Sequence, residues 1–150
     1  MAEGGTSDAN AGGRGADPLL GQVLNERYRI VDCIGAGGMG RVYRAVQMPL
    51  GRIVAIKVVI PKLAADGQDP QFLKRFFLEA SITSKLSHPH TITVFDYGST
   101  ADGLVYLAME YLQGRTLQQV IATEGPQPAP CVVQVAAQIA RSLREAHGQN

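Results

Sequence analysis

The run Ile53-Val54-Ala55-Ile56-Lys57-Val58-Val59-Ile60 is apolar at every position except the lysine. It is short and rich in β-branched side chains, which reads as a strand with core on both sides. Alternate residues of a strand share a face, so Lys57 stands with Ile53, Ala55 and Val59, opposite Val54, Ile56, Val58 and Ile60. An ionised lysine between apolar surfaces requires a carboxylate or a bound anion. The alternative is a lysine at the strand edge, its stem lying on the core and its head reaching water.

The segments around this strand alternate in the same way. Tyr28 to Ile34 has strand composition, the cluster Gly35-Ala36-Gly37-Gly38-Met39-Gly40 interrupts it, and Arg41 to Val46 resumes it. Met48-Pro49-Leu50-Gly51 marks the turn into the lysine strand. Asp69-Pro70 opens a predicted helix, with Asp as cap and Pro in the first turn, running to about Leu86 before Ser87-His88-Pro89 ends it. Thr91–Tyr97 and Leu104–Met109 read as two further strands joined by a turn at Asp102-Gly103, making five strands and one helix.

Beyond Leu112 the chain turns helical. Thr116-x-x-Gln119 fits a capping box, and the Pro-rich stretch 126–130 leads into a longer helix. On it Val132, Val135, Ala136, Ile139 and Leu143 form one apolar stripe that needs a partner surface, and self-association through that stripe is expected. At the other end, residues 1–17 hold no Val, Ile, Leu, Phe or Tyr and cannot bury enough apolar surface to offset ordering entropy. The expected organisation is a disordered Gly/Ala-rich leader over residues 1–20, a sheet unit over 24–112 and a helical segment over 113–150.

Composition excludes several classes of function. A formal net charge of +1 gives no footprint for nucleic acid or an anionic membrane surface. No run is long and apolar enough to span a bilayer, and the N-terminus lacks the basic-then-apolar order of a signal peptide, so a cytoplasmic protein is expected. Cys33 and Cys131 are far apart with no C-x-x-C spacing, which indicates neither a zinc site nor a disulfide framework.

Gly35-x-Gly37-x-x-Gly40 is by itself a weak signal. In a dinucleotide-binding fold such glycines open a helix, and an acidic residue follows about 20 residues on. Here they precede a strand, and Ala55 to Ile60 contains neither Asp nor Glu. A glycine hairpin between strands remains, either without a ligand or with backbone N–H groups covering phosphates. Glu79 falls in or beside the apolar stripe of the predicted helix, three residues beyond Phe76 and seven beyond Phe72, where a carboxylate can answer Lys57. The alternative is an ordinary surface glutamate.

Taken in order, Gly35 to Tyr43, Val54-Ala55-Ile56-Lys57, Glu79, His88-Pro89-His90 and Met109-Glu110-Tyr111-Leu112 resemble the N-terminal half of a protein kinase. The Gly-Gly-Met-Gly form and Arg27-Tyr28-Arg29-Ile30 are most similar to bacterial eukaryotic-like Ser/Thr kinases, over about residues 24–147. The resemblance implies an α+β fold: a kinase N-lobe with a five-stranded antiparallel sheet and one helix, followed by the first helices of a truncated C-lobe. It implies ATP as ligand, with Ile34, Val42 and Ala55 lining the adenine roof. Gly35, Ala36, Gly37, Gly38, Met39 and Gly40 would form the phosphate-covering loop, Lys57 would contact the α- and β-phosphates, and Glu79 would pair with it. Met109 resembles the gatekeeper, and the backbone at Glu110 and Leu112 would bond the adenine edge. Thr116 stands where many relatives carry an acidic residue near the ribose.

The family's H-R-D, D-F-G and A-P-E motifs do not occur in these 150 residues. Ligands for Mg2+ are therefore expected downstream, and no metal ligand within the sequence. Glu145 to Asn150 resembles the stretch just before H-R-D, and His147 reads as a packing residue at a helix end. The expectation is the ATP-binding portion of a Ser/Thr protein kinase of unknown protein substrate, inactive alone. The alternative is a free-standing degenerate lobe that binds a nucleotide or a protein.

Overall fold

The lysine strand is the hub of the sheet. In the computed structural model, which describes residues 17–37, 40–59 and 70–148 without the side chains of 70–73, 75 and 79, it forms β4 (Arg52–Val59) between two antiparallel neighbours. The other elements are β1 (Val23–Leu24), β2 (Tyr28–Gly37), β3 (Gly40–Gln47), α1 (Pro70–Thr83), β5 (Val94–Ser99), β6 (Val105–Glu110), α2 (Leu117–Glu124) and α3 (Ala129–His147). The six strands form one antiparallel sheet in the order β1-β2-β3-β4-β6-β5.

The register divides the two faces of β4. Tyr43, Ile56 and Ala108 sit side by side across β3, β4 and β6, and all three are fully buried. With Tyr28, Ile30 and Tyr106 they form the core on the face away from Lys57, and Leu19 and Leu104 pack against it. The Tyr28 and Tyr106 rings meet edge to face with centroids 5.7 Å apart. Burying a side chain of this size stabilises the fold by about 1.5–3 kcal/mol.

The buried phenols still need hydrogen-bond partners. Tyr28 donates to Asp96 (3.0 Å), which also accepts from Arg27 (2.7 Å), and Tyr106 accepts from the Asn25 amide (3.0 Å). Burial, and next the Asp96 carboxylate, push the Tyr28 hydroxyl up to about 12, so it stays a donor across the physiological range. These bonds tie the β1–β2 turn to the far edge of the sheet.

The helices attach more lightly. On α1, Phe77 meets the ring of Tyr97 on β5 at 5.7 Å and Ala80 is buried. The capping box of α2 is formed: the Gln119 N–H donates to the Thr116 hydroxyl (3.2 Å), and the Thr116 N–H donates to the Gln119 side chain (2.8 Å). On α3, Glu145 accepts from the Ser87 N–H (3.0 Å), and the Ser142 and Thr91 hydroxyls share a bond of 2.5 Å.

Several boundaries differ from the sequence reading. A sixth strand, β1, is only two residues long, too short for any period to reveal. The glycine run reads as a loop, yet β2 continues to Gly37 and β3 starts at Gly40, because glycine adopts extended backbone once a ladder holds it. The expected cap Asp69 lies outside the described residues, and α1 ends at Thr83 instead of Leu86, where Ser84 turns back onto the Ser81 carbonyl (2.8 Å). The stretch 17–20, given to the leader by composition, packs on the sheet through Asp17 and Leu19.

Candidate functional site

Lys57 lies on the face of β4 opposite the core. Its cross-strand neighbours are Val42 on β3 and Leu107 on β6, and the next row on that face sets Ala55 against Met109. Lys57 and Val42 are half-buried, whereas Ala55 and Met109 are buried. The result is a small apolar floor with one ammonium at its edge. Leu107 is a member that sequence reasoning missed; only the β4–β6 register brings it to Lys57.

The hairpin β2–β3 borders this floor through β3, and its glycines are not equivalent. A Cβ on Gly40, whose φ is +138°, would lie 2.1 Å from the Val58 carbonyl oxygen, so close contact between β3 and β4 forbids a side chain there. A Cβ on Gly37 would meet nothing within 4 Å, and one on Gly35 would make only ordinary contact with Val42. Packing thus explains Gly40, while the bareness at Gly37 leaves room for something outside the protein to approach the backbone. Ile34 bulges from the ladder between the Cys33–Tyr43 and Gly35–Val42 pairs, and it is 46% exposed.

At the end of β6 the chain leaves the sheet. The Glu110 N–H donates to the Thr93 carbonyl (2.9 Å), and the Glu110 side chain accepts from the Thr93 N–H (2.6 Å). The Glu110 main chain can therefore bond a ligand only by accepting at its carbonyl. Leu112, two residues on, is well exposed. Position 79 falls in the third turn of α1, but its side chain, like Gly38 and Met39, lies outside the described residues, and so does the expected ion pair with Lys57.

Glycine hairpin, half-buried lysine, apolar floor and exit strand follow one another in a fixed order. The protein kinase domain model matches residues 28–150. The chain belongs to the protein kinase family. Curated relatives include the serine/threonine-protein kinase pkn3 of Myxococcus xanthus, 38% identical over 132 residues, and PrkC of Bacillus subtilis, 36% identical over 129 residues. The match takes in 88% and 86% of this chain but only 24% and 19% of those two kinases. Among solved structures, the PknI kinase domain of Mycobacterium tuberculosis superposes with a TM-score of 0.74 at 31% identity, covering 87% of this chain and 52% of that one. The shared fold is the kinase one, a curled antiparallel N-lobe sheet with a few helices after it.

Measured against a nucleoside triphosphate, the residues present fit. The apolar floor of Ala55, Val42, Leu107 and Met109 suits a purine ring, Lys57 supplies a cation for phosphate oxygens, and the space beside Gly37 leaves its backbone open to a ligand. Among the described residues no three His, Cys, Asp or Glu side chains gather where a metal ion could sit. Both cysteines are exposed free thiols, and no described helix is long and apolar enough to cross a membrane.

Proposed function

We propose that this chain is the ATP-binding portion of a serine/threonine protein kinase of the cytoplasm, one that transfers the γ-phosphate of ATP to protein Ser/Thr side chains. The observation that supports this reading is the row Val42–Lys57–Leu107, in which Lys57 has apolar cross-strand neighbours on the face away from the core, on the strand next to the glycine hairpin. In this role the floor of Ala55 and Met109 takes the adenine with Ile34 above it, and the Glu110 carbonyl and the Leu112 backbone hold its edge. Backbone N–H groups of residues 35–40 cover the phosphates. Lys57 orients the α- and β-phosphates, and Glu79 holds the ammonium in place. Mg2+ neutralises phosphate charge in this chemistry, and its ligands are assigned to motifs beyond those found here. Copies of the chain are expected to associate through the half-exposed stripe of α3.

Titration of the 150-residue chain with ATP and with adenosine tests the site. Lys57→Ala should weaken ATP by about tenfold or more, the loss of a charge-assisted hydrogen bond, and leave adenosine nearly unchanged. Equal ATP affinity in the two proteins would overturn the assignment of Lys57. With Mg-ATP and a generic protein substrate the same chain should show no phosphotransfer, and turnover abolished by Lys57→Ala would contradict its inactivity alone.

A further inference from the structure

The strands β2 and β3 do not pair residue for residue. Ile30 stands opposite Ala45 at one end of a stretch and Gly37 opposite Gly40 at the other, so residues 31–36 of β2 face residues 41–44 of β3. Between those two pairs β2 therefore carries two extra residues. They are not taken up together: Val31 bulges after the Ile30–Ala45 pair and Ile34 after the Cys33–Tyr43 pair, and both side chains are exposed. Each bulge reverses the alternation of the strand. Asp32 thus faces Arg44 on the side of the Lys57 site, although Ile30, two residues earlier, is buried in the core.

The two end pairs leave open where the extra residues fall. Burial does not decide it, because beyond Ile30 no side chain of β2 is buried and Gly35 and Gly37 offer none. Strands of that kind specify their register weakly. Among the described residues, the side-chain bonds between β2 and β3 in this stretch are those of Asp32 with Arg44. Arg44 grips the carboxylate with two nitrogens: Nε donates to Oδ2 (3.0 Å) and Oδ1 (3.3 Å), and Nη2 donates to Oδ2 (2.6 Å). Both side chains are partly exposed, so the pair is modest in energy. A modest preference is enough to choose between pairings that bury the same side chains.

The choice matters to the site next door. Arg44 pairs with Ala55 on β4 and Ala55 with Met109 on β6, so the ion pair is the charged end of the row that supplies the apolar floor. We propose that Asp32 and Arg44 are positioning residues: their ion pair places one extra residue on each side of itself, making Ile34 the bulged residue and Gly35 the partner of Val42 at the edge of the floor. The proposal rests on the nucleotide reading for its ligand but not for its mechanics. Without the pair, both extra residues can gather beyond position 32. Val31 then stands opposite Arg44, Asp32 opposite Tyr43, and Cys33 joins Ile34 in one larger bulge. A ring on the floor loses Ile34 as its wall in that pairing, and apparent affinity falls in proportion to the fraction of chains that keep the native one.

The test uses the 150-residue chain, Asp32→Ala, Arg44→Gln, and the double variant Asp32→Arg with Arg44→Asp, which restores the pair with its charges exchanged. Cross-strand backbone contacts are read by NMR, and affinities are measured for ATP and for adenosine. In each single variant the contacts of 33 with 43 and of 32 with 44 should weaken and contacts of 31 with 44 and 32 with 43 appear, while those of 28 with 47 and 30 with 45 persist. ATP and adenosine should both weaken by about threefold, as for a native pairing held about a third of the time. This differs from Lys57→Ala, which spares adenosine. The exchanged pair should recover both the contacts and the affinities. Native cross-strand contacts in both single variants overturn the proposal, even if their unfolding midpoints fall, since that is the mark of a merely structural role. Shifted contacts with unchanged affinities overturn it too, as does an exchanged pair that recovers neither. If the native chain binds neither ATP nor adenosine, the nucleotide reading fails, and the cross-strand contacts alone decide for or against the Asp32–Arg44 pair.

Discussion

The sheet and the two C-terminal helices meet the same requirement, burial of apolar surface, with opposite success. The sheet encloses seven large side chains at under 2% exposure, Tyr28, Tyr43 and Ile56 among them. Neither α2 nor α3 contains a buried residue. Yet α3 carries a regular stripe in which Val132, Ile139 and Leu143 remain about half exposed, and with Leu117 and Ile121 of α2 part of it borders a groove of about 330 Å³. An amphipathic pattern specifies which face of a helix seeks cover, and packing decides whether cover is found. The sheet curls on itself and is tied by Tyr28–Asp96 and Asn25–Tyr106; α3 is held by polar bonds to Ser87 and Thr91, in the connection between α1 and β5.

The largest effect that follows is a contrast between two isoleucines. Ile56→Ala removes a fully buried side chain wedged between Tyr43 and Ala108, and should cost about 2–5 kcal/mol in denaturant unfolding. Ile139→Ala removes one that is 53% exposed on α3, and should fall within about 0.5 kcal/mol. Equal losses at the two positions would show that α3 is covered in solution and would break the comparison.

The hairpin offers a smaller contrast inside the sheet. Gly40→Ala forces a Cβ against the Val58 carbonyl at a backbone conformation that side chains rarely adopt, and should destabilise the sheet by about 2 kcal/mol. Gly37→Ala meets open space and should leave stability nearly unchanged while weakening ATP binding. If Gly37→Ala unfolds the sheet as readily as Gly40→Ala, the division into a packing glycine and a ligand glycine is wrong.

These contrasts also separate what the sequence discloses from what it hides. A run as apolar as Ile53 to Ile60 reads as a strand with core on both sides, and β4 lies between two neighbouring strands; Thr116 and Gln119 were legible as a cap because the bonds involved are local. The placement of Ala55 and Lys57 on one face also followed from strand alternation. Leu107 was not legible, because its place beside Lys57 depends on a register set some 50 residues away. The difference between Gly37 and Gly40 was hidden as well, since it arises from how close β3 comes to the Val58 backbone. Asp17 sits in a stretch whose composition argues for disorder, and one carboxylate meeting two side chains across the chain leaves no periodic trace.

The smallest effect is read by pH and concerns the strap 17–22 before β1, which bonds to the Ile30 backbone on β2 and whose Asp17 carboxylate accepts from Arg41 and Tyr43 on β3. Burial works to raise the Asp17 carboxyl, but the Leu19 N–H, the Tyr43 hydroxyl and Arg41 outweigh it and hold the group below its ordinary value of 3.8. A carboxyl lowered on folding contributes stability that is fully present above its unfolded value and is lost as pH falls through the folded one. The charged and titratable groups around it are Arg41, Tyr43 and, across a cavity of about 480 Å³, Asp102. Arg41 and Tyr43 keep their protons throughout the acid range, so Asp17 governs the change at this contact. The stability gap between the native chain and Asp17→Asn should therefore be constant from pH 7 to about pH 5 and close below the ordinary carboxyl value. A gap that persists undiminished into that acid range would mean that the Asp17 charge contributes nothing, and that the strap is held by its backbone bonds to β2 alone.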